Sequence, residues 1–77
     1  MKRSVLLEEI NNALQRDEPL SEEMRIADIR EWDSLTSISI IALYDSLFGI
    51  NLALADLAEI STIRDLINKA QSYLEQE

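Results

Sequence analysis

Serine hydroxyls are the side chains of this sequence that could take part in covalent chemistry, because the chain contains neither histidine nor cysteine. The usual zinc and haem ligands are therefore missing, and so are the Ser-His and Cys-His pairs that activate most nucleophiles. We accordingly expect no catalytic residue and no metal site, and a protein that is not an enzyme. A serine of this chain could still receive a group that another enzyme transfers to it.

Among the eight serines, Ser34 has the sequence context that suits such a modification. It stands in the segment Glu31-Trp32-Asp33-Ser34-Leu35, where a long loop is predicted to meet the start of a helix. A phosphodiester on this hydroxyl would face the unpaired backbone amides and the positive dipole end of that helix. The alternative is that Ser34 only caps the helix, as serines commonly do.

The elements that position Ser34 are predicted to be helices. One glycine, one proline and 47% hydrophobic residues favour helices joined by short polar connectors over a turn-rich β fold. Apolar residues at three-to-four spacing predict a first helix from Ser4 to about Arg16. The stretch from Asp17 to Ser21 ends this helix, and a long structured loop with room for one helical turn continues to Trp32.

The second helix follows directly after the loop. Asp33 or Ser34 caps its start, and it runs to Phe48. Gly49 is expected to end it in the left-handed conformation that glycine adopts easily. The helix therefore spans about four turns, with Ser34 at its first turn.

Two shorter elements complete the predicted fold. A small helix is expected near residues 55–60, and Ser61 or Thr62 caps a last helix. The apolar stripe of this last helix comprises Ile63, Leu66, Ile67, Ala70, Tyr73 and Leu74. The sequence therefore predicts an all-α fold, a small helical bundle of three main helices plus one short helix, as a single domain over residues 1–77.

The second helix carries apolar residues on two sides. On a helical wheel one arc forms a core face of Ile40, Ile41, Tyr44, Leu47 and Phe48. The opposite arc holds Leu35, Ile38 and Ala42 among the polar residues Thr36, Ser39, Asp45 and Ser46. These aliphatic residues are either a contact surface for a partner or are covered by the short helix.

The charge is unevenly distributed along the chain. The formal net charge is -8, which disfavours binding to nucleic acid and to anionic membrane surfaces. Residues 31–63 contain no Lys or Arg but do contain Glu31, Asp33, Asp45, Asp56 and Glu59. This distribution favours partners with basic docking surfaces, although acids also keep a small domain soluble. The chain has no apolar run of about 20 residues, and acids lie near its start, so it is expected to be cytoplasmic and not inserted in a membrane. We also expect a monomer.

Taken in order, these features resemble an acyl carrier protein. The resemblance covers nearly the whole chain, and the tripeptide Asp33-Ser34-Leu35 is repeated as Asp45-Ser46-Leu47, so it is not specific by itself. Ser46 lies near the end of the second helix, and only Ser34 has the family's context. The ordered set that carries the resemblance is Asp33-Ser34-Leu35, Ile38, Ile41, Phe48-Gly49-Ile50, Leu52 and Ile60-Ser61-Thr62-Ile63.

The resemblance implies a freestanding carrier with a covalent cofactor. Ser34 would hold a 4'-phosphopantetheine arm, donated from coenzyme A by a phosphopantetheinyl transferase, and the thiol of the arm would carry an acyl or aminoacyl group as a thioester. Asp33 would help orient the transferase complex. Partner enzymes with basic surfaces, an acyl ligase, synthase or acyltransferase, would contact Leu35, Ile38, Ala42, Asp45, Asp56 and Glu59.

The resemblance also raises the question of where the acyl chain would lie. A loosely packed helical core could open to shelter an aliphatic chain, whereas plain packing is the alternative for each of its residues. The residues that would line this core are Ile40, Ile41, Tyr44, Phe48, Leu57, Ile60 and Ile63.

The sequence departs from carriers of central fatty acid synthesis on the second helix. Thr36, Ser39 and Ser46 occupy positions where acids are usual in that family, which leaves Asp45 as the one acid of this helix. Together with Trp32, this suggests a specialised polyketide, modified-lipid, sugar or amino-acid pathway, although Trp32 could equally anchor the loop. The rival hypothesis is an unmodified acidic helical adaptor that docks on a basic protein partner.

Overall fold

The computed structural model of the chain describes residues 1–75. Within that part, four α-helices are joined by loops, and two further segments form single 3-10 turns. The predicted all-α bundle with a long first connection is confirmed. The helices are α1 (Arg3–Leu14), α2 (Ser34–Phe48), α3 (Leu54–Ala58) and α4 (Ile63–Asn68), and the 3-10 turns are Ile26–Asp28 and Gln71–Tyr73.

Helix α1 follows the predicted amphipathic pattern. Leu6, Ile10 and Leu14 lie four residues apart, on one face, and are buried in the core. The predicted end near Arg16 is slightly too late. The helix stops at Leu14 because Gln15 adopts a left-handed conformation with a φ of 55°.

The first connection is a long but well-packed loop. Leu20 and Ile29 are buried, and Trp32 is half-buried against the core. The one helical turn for which the sequence left room is the 3-10 turn. The loop therefore contributes side chains to the hydrophobic core instead of only spanning the distance between α1 and α2.

The loop is also joined to the start of α4 by backbone hydrogen bonds. The amide of Ile26 donates to the carbonyl of Ser61 at 2.8 Å, and the amide of Ile63 donates to the carbonyl of Met24 at 2.9 Å. A third bond runs from the Arg64 amide to the Glu22 carbonyl at 2.8 Å. These bonds fix the course of the loop that leads to Ser34.

The last helix is shorter than predicted. It ends at Asn68, so the expected extension to Leu74 is wrong, and Tyr73 is 52% exposed in a separate 3-10 turn. The backbone changes to tighter bonding at this point, because the Lys69 amide donates to the Leu66 carbonyl three residues earlier at 3.1 Å. The third helix also differs by one or two residues from the predicted range 55–60.

The core is formed mainly by the inward faces of α1, α2 and α4, to which α3 adds Leu57 and the loops add Leu20, Ile29 and Leu52. Ile40 and Tyr44 from the predicted core face of α2 are fully buried, whereas Ile41, Leu47 and Phe48 are half-buried. The residues with no exposed surface are Leu6, Ile10, Ile40, Tyr44, Ile63, Leu66, Ile67 and Ala70. This core supports α2, and with it the position of Ser34.

Candidate functional site

Asp33, and not Ser34, caps α2. An Oδ1 atom of Asp33 accepts a hydrogen bond from the Thr36 amide at 2.8 Å, which places Ser34 at the first position of the helix. The Thr36 amide is the main reason why the pKa of Asp33 lies below its ordinary value, and the Leu35 amide adds to the effect. The side chain of Asp33 is therefore a fixed anion beside Ser34.

The hydroxyl of Ser34 is available for reaction. Ser34 is exposed, and its hydroxyl has no hydrogen-bond partner among residues 1–75. Two other serines of α2 differ, because Ser37 donates to the Asp33 carbonyl and Ser39 donates to the Leu35 carbonyl, both at 3.2 Å. Ser46 is exposed as well, but it lies in the last turn of α2, at the negative end of the helix dipole.

The start of α2 offers fewer free backbone amides to a phosphodiester on Ser34 than the sequence suggests. The Thr36 amide is occupied by Asp33, and the Ser37 amide donates to the Asp33 carbonyl at 3.0 Å. The expectation that a phosphate would face several unpaired amides is therefore wrong for these two. The exposed hydroxyl and the positive end of the helix dipole remain, and these two features favour a phosphodiester on Ser34.

Thr36 does not lie on the exposed side of α2. It is only 8% exposed, and its hydroxyl donates to the Glu31 carbonyl at 2.9 Å. The interpretation of Thr36 as a surface position that replaces an acid is therefore wrong, because its side chain points towards the preceding loop. Ser39 is half-buried and Ser46 is exposed.

The apolar arc of α2 is exposed. Leu35 is 72% exposed, Ile38 is 58% exposed, and Ala42 is also exposed one turn further on. We call these three residues the apolar face. The alternative that the short helix covers them does not hold, and α3 itself adds another exposed leucine, Leu54, at its first position.

Leu54 is an exposed apolar residue that the sequence analysis did not single out. A helix of five residues can bury only one side, and Leu57 takes the buried position in α3. The spacing gives no signal for this exposure, because residues three apart in a helix are neighbours on one side and Leu57 is buried.

The acidic residues near Ser34 are only partly free. Glu31 accepts a hydrogen bond from an Nη1 of Arg16 at 2.9 Å, so a basic side chain enters the region that is purely acidic in sequence. Hydrogen bonding to its own backbone amide, together with Arg16, keeps the pKa of Glu31 below its ordinary value. Asp45 and Glu59 are exposed, whereas Asp56 is half-buried and its carboxylate accepts from the Ala53 amide at 2.8 Å.

A groove of about 200 Å³ lies next to Ser34. It runs between the end of α1 and the start of α2, and its lining includes Asp33 and Leu35, the two sequence neighbours of Ser34. Two larger clefts lie elsewhere. One of about 780 Å³ is lined by residues such as Arg3 and Lys69, and one of about 380 Å³ extends from Glu59 to Lys69.

Among residues 1–75, no group of three acidic side chains is placed so that it could hold a metal ion. In the same part of the chain, no helix combines the length and apolar character needed to cross a lipid bilayer.

Comparison with known proteins identifies a similar fold. No family model matches the chain, and no curated protein matches it. A solved structure that is similar is the solution NMR structure of the holo acyl carrier protein from Geobacter metallireducens, with a TM-score of 0.73 and 24% sequence identity. The match covers 92% of this chain and 83% of the other. This chain therefore has the fold of that acyl carrier protein.

Proposed function

We propose that this protein is an acyl carrier protein whose Ser34 holds a 4'-phosphopantetheine arm. The observation that carries the proposal is the exposed Ser34 hydroxyl without a hydrogen-bond partner in the described chain, at the start of α2, in a fold shared with a holo acyl carrier protein. The role is that of a carrier and not of an enzyme, since the chain contains no histidine or cysteine.

Attachment of the arm requires a second protein. The Ser34 hydroxyl would attack the phosphorus that bears the pantetheine group in coenzyme A, the bond to the leaving nucleotide phosphate would break, and 3',5'-ADP would depart. The proton of the hydroxyl would pass to a base of a phosphopantetheinyl transferase, because this chain offers no histidine for the task. The thiol of the bound arm supplies the thioester linkage to an acyl or aminoacyl group.

The surface beside Ser34 suits docking on a partner with both apolar and basic groups. The apolar face begins one residue after Ser34 and continues down α2. Asp33, Asp45 and Glu59 are exposed acids that would meet Lys or Arg of the transferase and of acyl-handling enzymes. Asp56 belongs to the proposed surface through its position, although its carboxylate also caps α3.

The proposed partners belong to a specialised pathway. Asp45 is the one acid within α2 itself. A basic partner can therefore form fewer ion pairs along this helix than along the second helix of acid-rich carriers of central fatty acid synthesis. Exposed aliphatic side chains replace part of that attraction, and this favours a dedicated enzyme set in polyketide, modified-lipid or amino-acid transfer. We further propose that the chain acts as a single cytoplasmic carrier domain and as a monomer.

Mass spectrometry tests the proposal directly. The apo protein is incubated with coenzyme A, magnesium and a promiscuous phosphopantetheinyl transferase, and we expect the mass of one phosphopantetheine to be added. Ser34→Ala should abolish the gain. Ser46→Ala is the matched control, because Ser46 stands in an identical Asp-Ser-Leu tripeptide, and it should leave the gain unchanged.

Two other results would contradict the proposal. Failure of several competent transferases to add mass would favour the unmodified adaptor, which uses the apolar face and the exposed acids without any arm. Addition of the arm to a serine other than Ser34 would retain the carrier role but overturn the site.

A further inference from the structure

Tyr44 connects α2 to α4 through the centre of the core. Its side chain is fully buried, and its hydroxyl donates a hydrogen bond to the Leu66 carbonyl at 2.6 Å. Leu66 lies in the last turn of α4, and its carbonyl also accepts from the Lys69 amide at 3.1 Å. Tyr44 thus supplies a second donor to this carbonyl, and burial keeps the phenol neutral by raising its pKa.

The surroundings of Tyr44 are filled by other large side chains. Phe48 packs edge-on against the Tyr44 ring with a centroid distance of 5.6 Å, and Tyr73 lies 5.5 Å from Phe48 towards the surface. Ile40, one turn before Tyr44, has no exposed surface. Neither Ile40 nor Tyr44 lines any of the three clefts described above.

We infer that Tyr44 excludes an acyl chain from the interior of the bundle, and that the cargo is therefore a short or polar acyl or aminoacyl group. The inference rests on the proposed function of Ser34. A chain entering beneath α2 would have to displace the Tyr44 ring from a close-packed core. It would also leave the phenol hydroxyl buried without a partner, which proteins strongly avoid, and the Leu66 carbonyl with the Lys69 amide as its remaining donor.

An acyl group that is excluded from the core must lie on the surface of the protein or in water. Outside the core, the groove of about 200 Å³ beside Ser34 is lined mainly by polar side chains, including Glu31, Asp33 and Ser39. The apolar atoms nearest to Ser34 along the chain belong to the exposed apolar face, which lies open to water. A long aliphatic cargo would therefore remain in water until a partner enzyme covered it. A short or polar group needs no such shelter.

The test uses protein loaded with acyl groups of two lengths. The transferase is supplied with butyryl-coenzyme A or octanoyl-coenzyme A, and loading is verified by mass before any other measurement. In the wild type we expect no nuclear Overhauser effects between octanoyl methylenes and the methyl groups of Ile40, Ile63 or Leu66. In Tyr44→Leu, which shortens the side chain and vacates space, we expect such effects to appear.

A chemical readout accompanies the NMR measurement. Hydroxylamine should cleave the butyryl and octanoyl thioesters of the wild type at equal rates, since neither is sheltered. In Tyr44→Leu the octanoyl thioester should react about tenfold more slowly, which corresponds to ~1.4 kcal/mol in favour of the sheltered state. Tyr73→Leu, which alters an exposed tyrosine, should behave as the wild type. Tyr44→Phe retains the ring but loses the hydrogen bond to Leu66, so its octanoyl thioester should react more slowly than that of the wild type but faster than that of Tyr44→Leu.

The outcomes separate the two proposals. Absence of loading contradicts the proposed function and is detected in the mass spectrum before the chain length matters. Octanoyl contacts with Ile40 or Leu66 in the loaded wild type would overturn the exclusion by Tyr44, even if Tyr44→Leu failed to fold. Equal cleavage rates and no core contacts in a folded, loaded Tyr44→Leu would also overturn it, because the exclusion would then not depend on Tyr44.

Discussion

Ser34 and Thr36 stand two residues apart at the start of α2 and have opposite environments. Successive helical residues turn by about 100°, so two positions place these side chains on nearly opposite sides of the helix. Ser34 is exposed without a hydrogen-bond partner in residues 1–75, whereas Thr36 is buried and bound to the Glu31 carbonyl. The second hydroxyl holds the loop in place next to the first.

Replacement of Thr36 tests this structural role. Thr36→Val keeps the shape of the side chain but removes the hydroxyl, so the Glu31 carbonyl loses its partner. We expect the free energy of unfolding to fall by about 1–2 kcal/mol, measured by urea denaturation. Thr36→Ser, which retains the hydroxyl, should lose less than Thr36→Val.

A second control is available on the same helix. Ser39 donates to a carbonyl within α2 itself, so Ser39→Ala removes no contact between the helix and the loop. Its effect on stability should be small. A loss for Ser39→Ala as large as for Thr36→Val would show that the Thr36 bond has no special role in holding the loop.

At the level of the elements, the first two helices end in the same way with different residues. Gly49 has a φ of 68° after α2, and Gln15 has a φ of 55° after α1. Glycine adopts this left-handed conformation without steric cost, whereas glutamine does not. Helix α2 therefore ends without backbone strain, whereas α1 ends in a strained conformation.

A pair of substitutions should change stability in opposite directions. Gly49→Ala is expected to lower the free energy of unfolding by about 1 kcal/mol through backbone strain alone, because a Cβ there would meet no atom within 4 Å. Gln15→Gly should raise the free energy of unfolding by about 0.5 kcal/mol. The strain energy relieved in the folded state exceeds the stabilisation that the unfolded chain gains from the more flexible glycine. Urea denaturation of both variants measures the effect, and a stabilised Gly49→Ala would contradict this account.

The elements that the sequence predicted well are those with local signals. Both ends of α2 were predicted within a residue because Asp33 and Gly49 lie next to the helix they delimit. The length of α4 was not, because the apolar stripe continues to Leu74 although the helix ends at Asn68, where the Leu66 carbonyl accepts from the Tyr44 hydroxyl, 22 residues away in the chain. Long-range contacts of this kind leave no periodic pattern in the sequence.

The candidate site, too, was predicted where it depends on residues that are close together in the chain, and was not predicted where it depends on distant ones. Ser34 and the apolar arc could be identified from neighbouring residues and helical spacing. The burial of Thr36 and the approach of Arg16 to Glu31 could not, since both depend on how the loop folds back. Charge counted along the chain therefore overstated the free acidity around Ser34.

At the level of the whole molecule, Glu22 connects three separate parts. It lies in the long loop and accepts two hydrogen bonds from the Arg3 guanidinium of α1, at 2.6 and 3.3 Å. Arg64 of α4 approaches the same carboxylate at 3.5 Å. Hydrogen bonding from Arg3 is the main reason why the pKa of Glu22 lies below its ordinary value of 4.5.

The contribution of Glu22 should depend on pH. Near neutral pH we expect Glu22→Gln to lower the free energy of unfolding by about 1 kcal/mol. Because the folded pKa is lowered, the stabilisation is fully present above pH 4.5 and is lost as the pH falls through the lowered value. Urea denaturation over a descending pH series should therefore show the wild type and Glu22→Gln converging in acid.

Glu23 offers the matched control for this experiment. It is the next residue in the loop, and its exposed carboxylate lies 3.9 Å from Arg64. Glu23→Gln should match the wild type at every pH. A gap between wild type and Glu22→Gln that stayed constant into acid would mean that charge on Glu22 is not the source of its stabilisation.

Because backbone atoms make the hydrogen bonds between the long loop and the start of α4, the side chains of the loop can vary without loss of these bonds. Main-chain atoms of Ile26, Ile63 and Arg64 supply all three donors, so exposed loop side chains such as Glu23 and Arg25 contribute nothing to these bonds. The surface of the loop could therefore be varied to suit different partners while its path stays the same. Proline alone, which has no amide hydrogen, would break the attachment at any of the three donor positions.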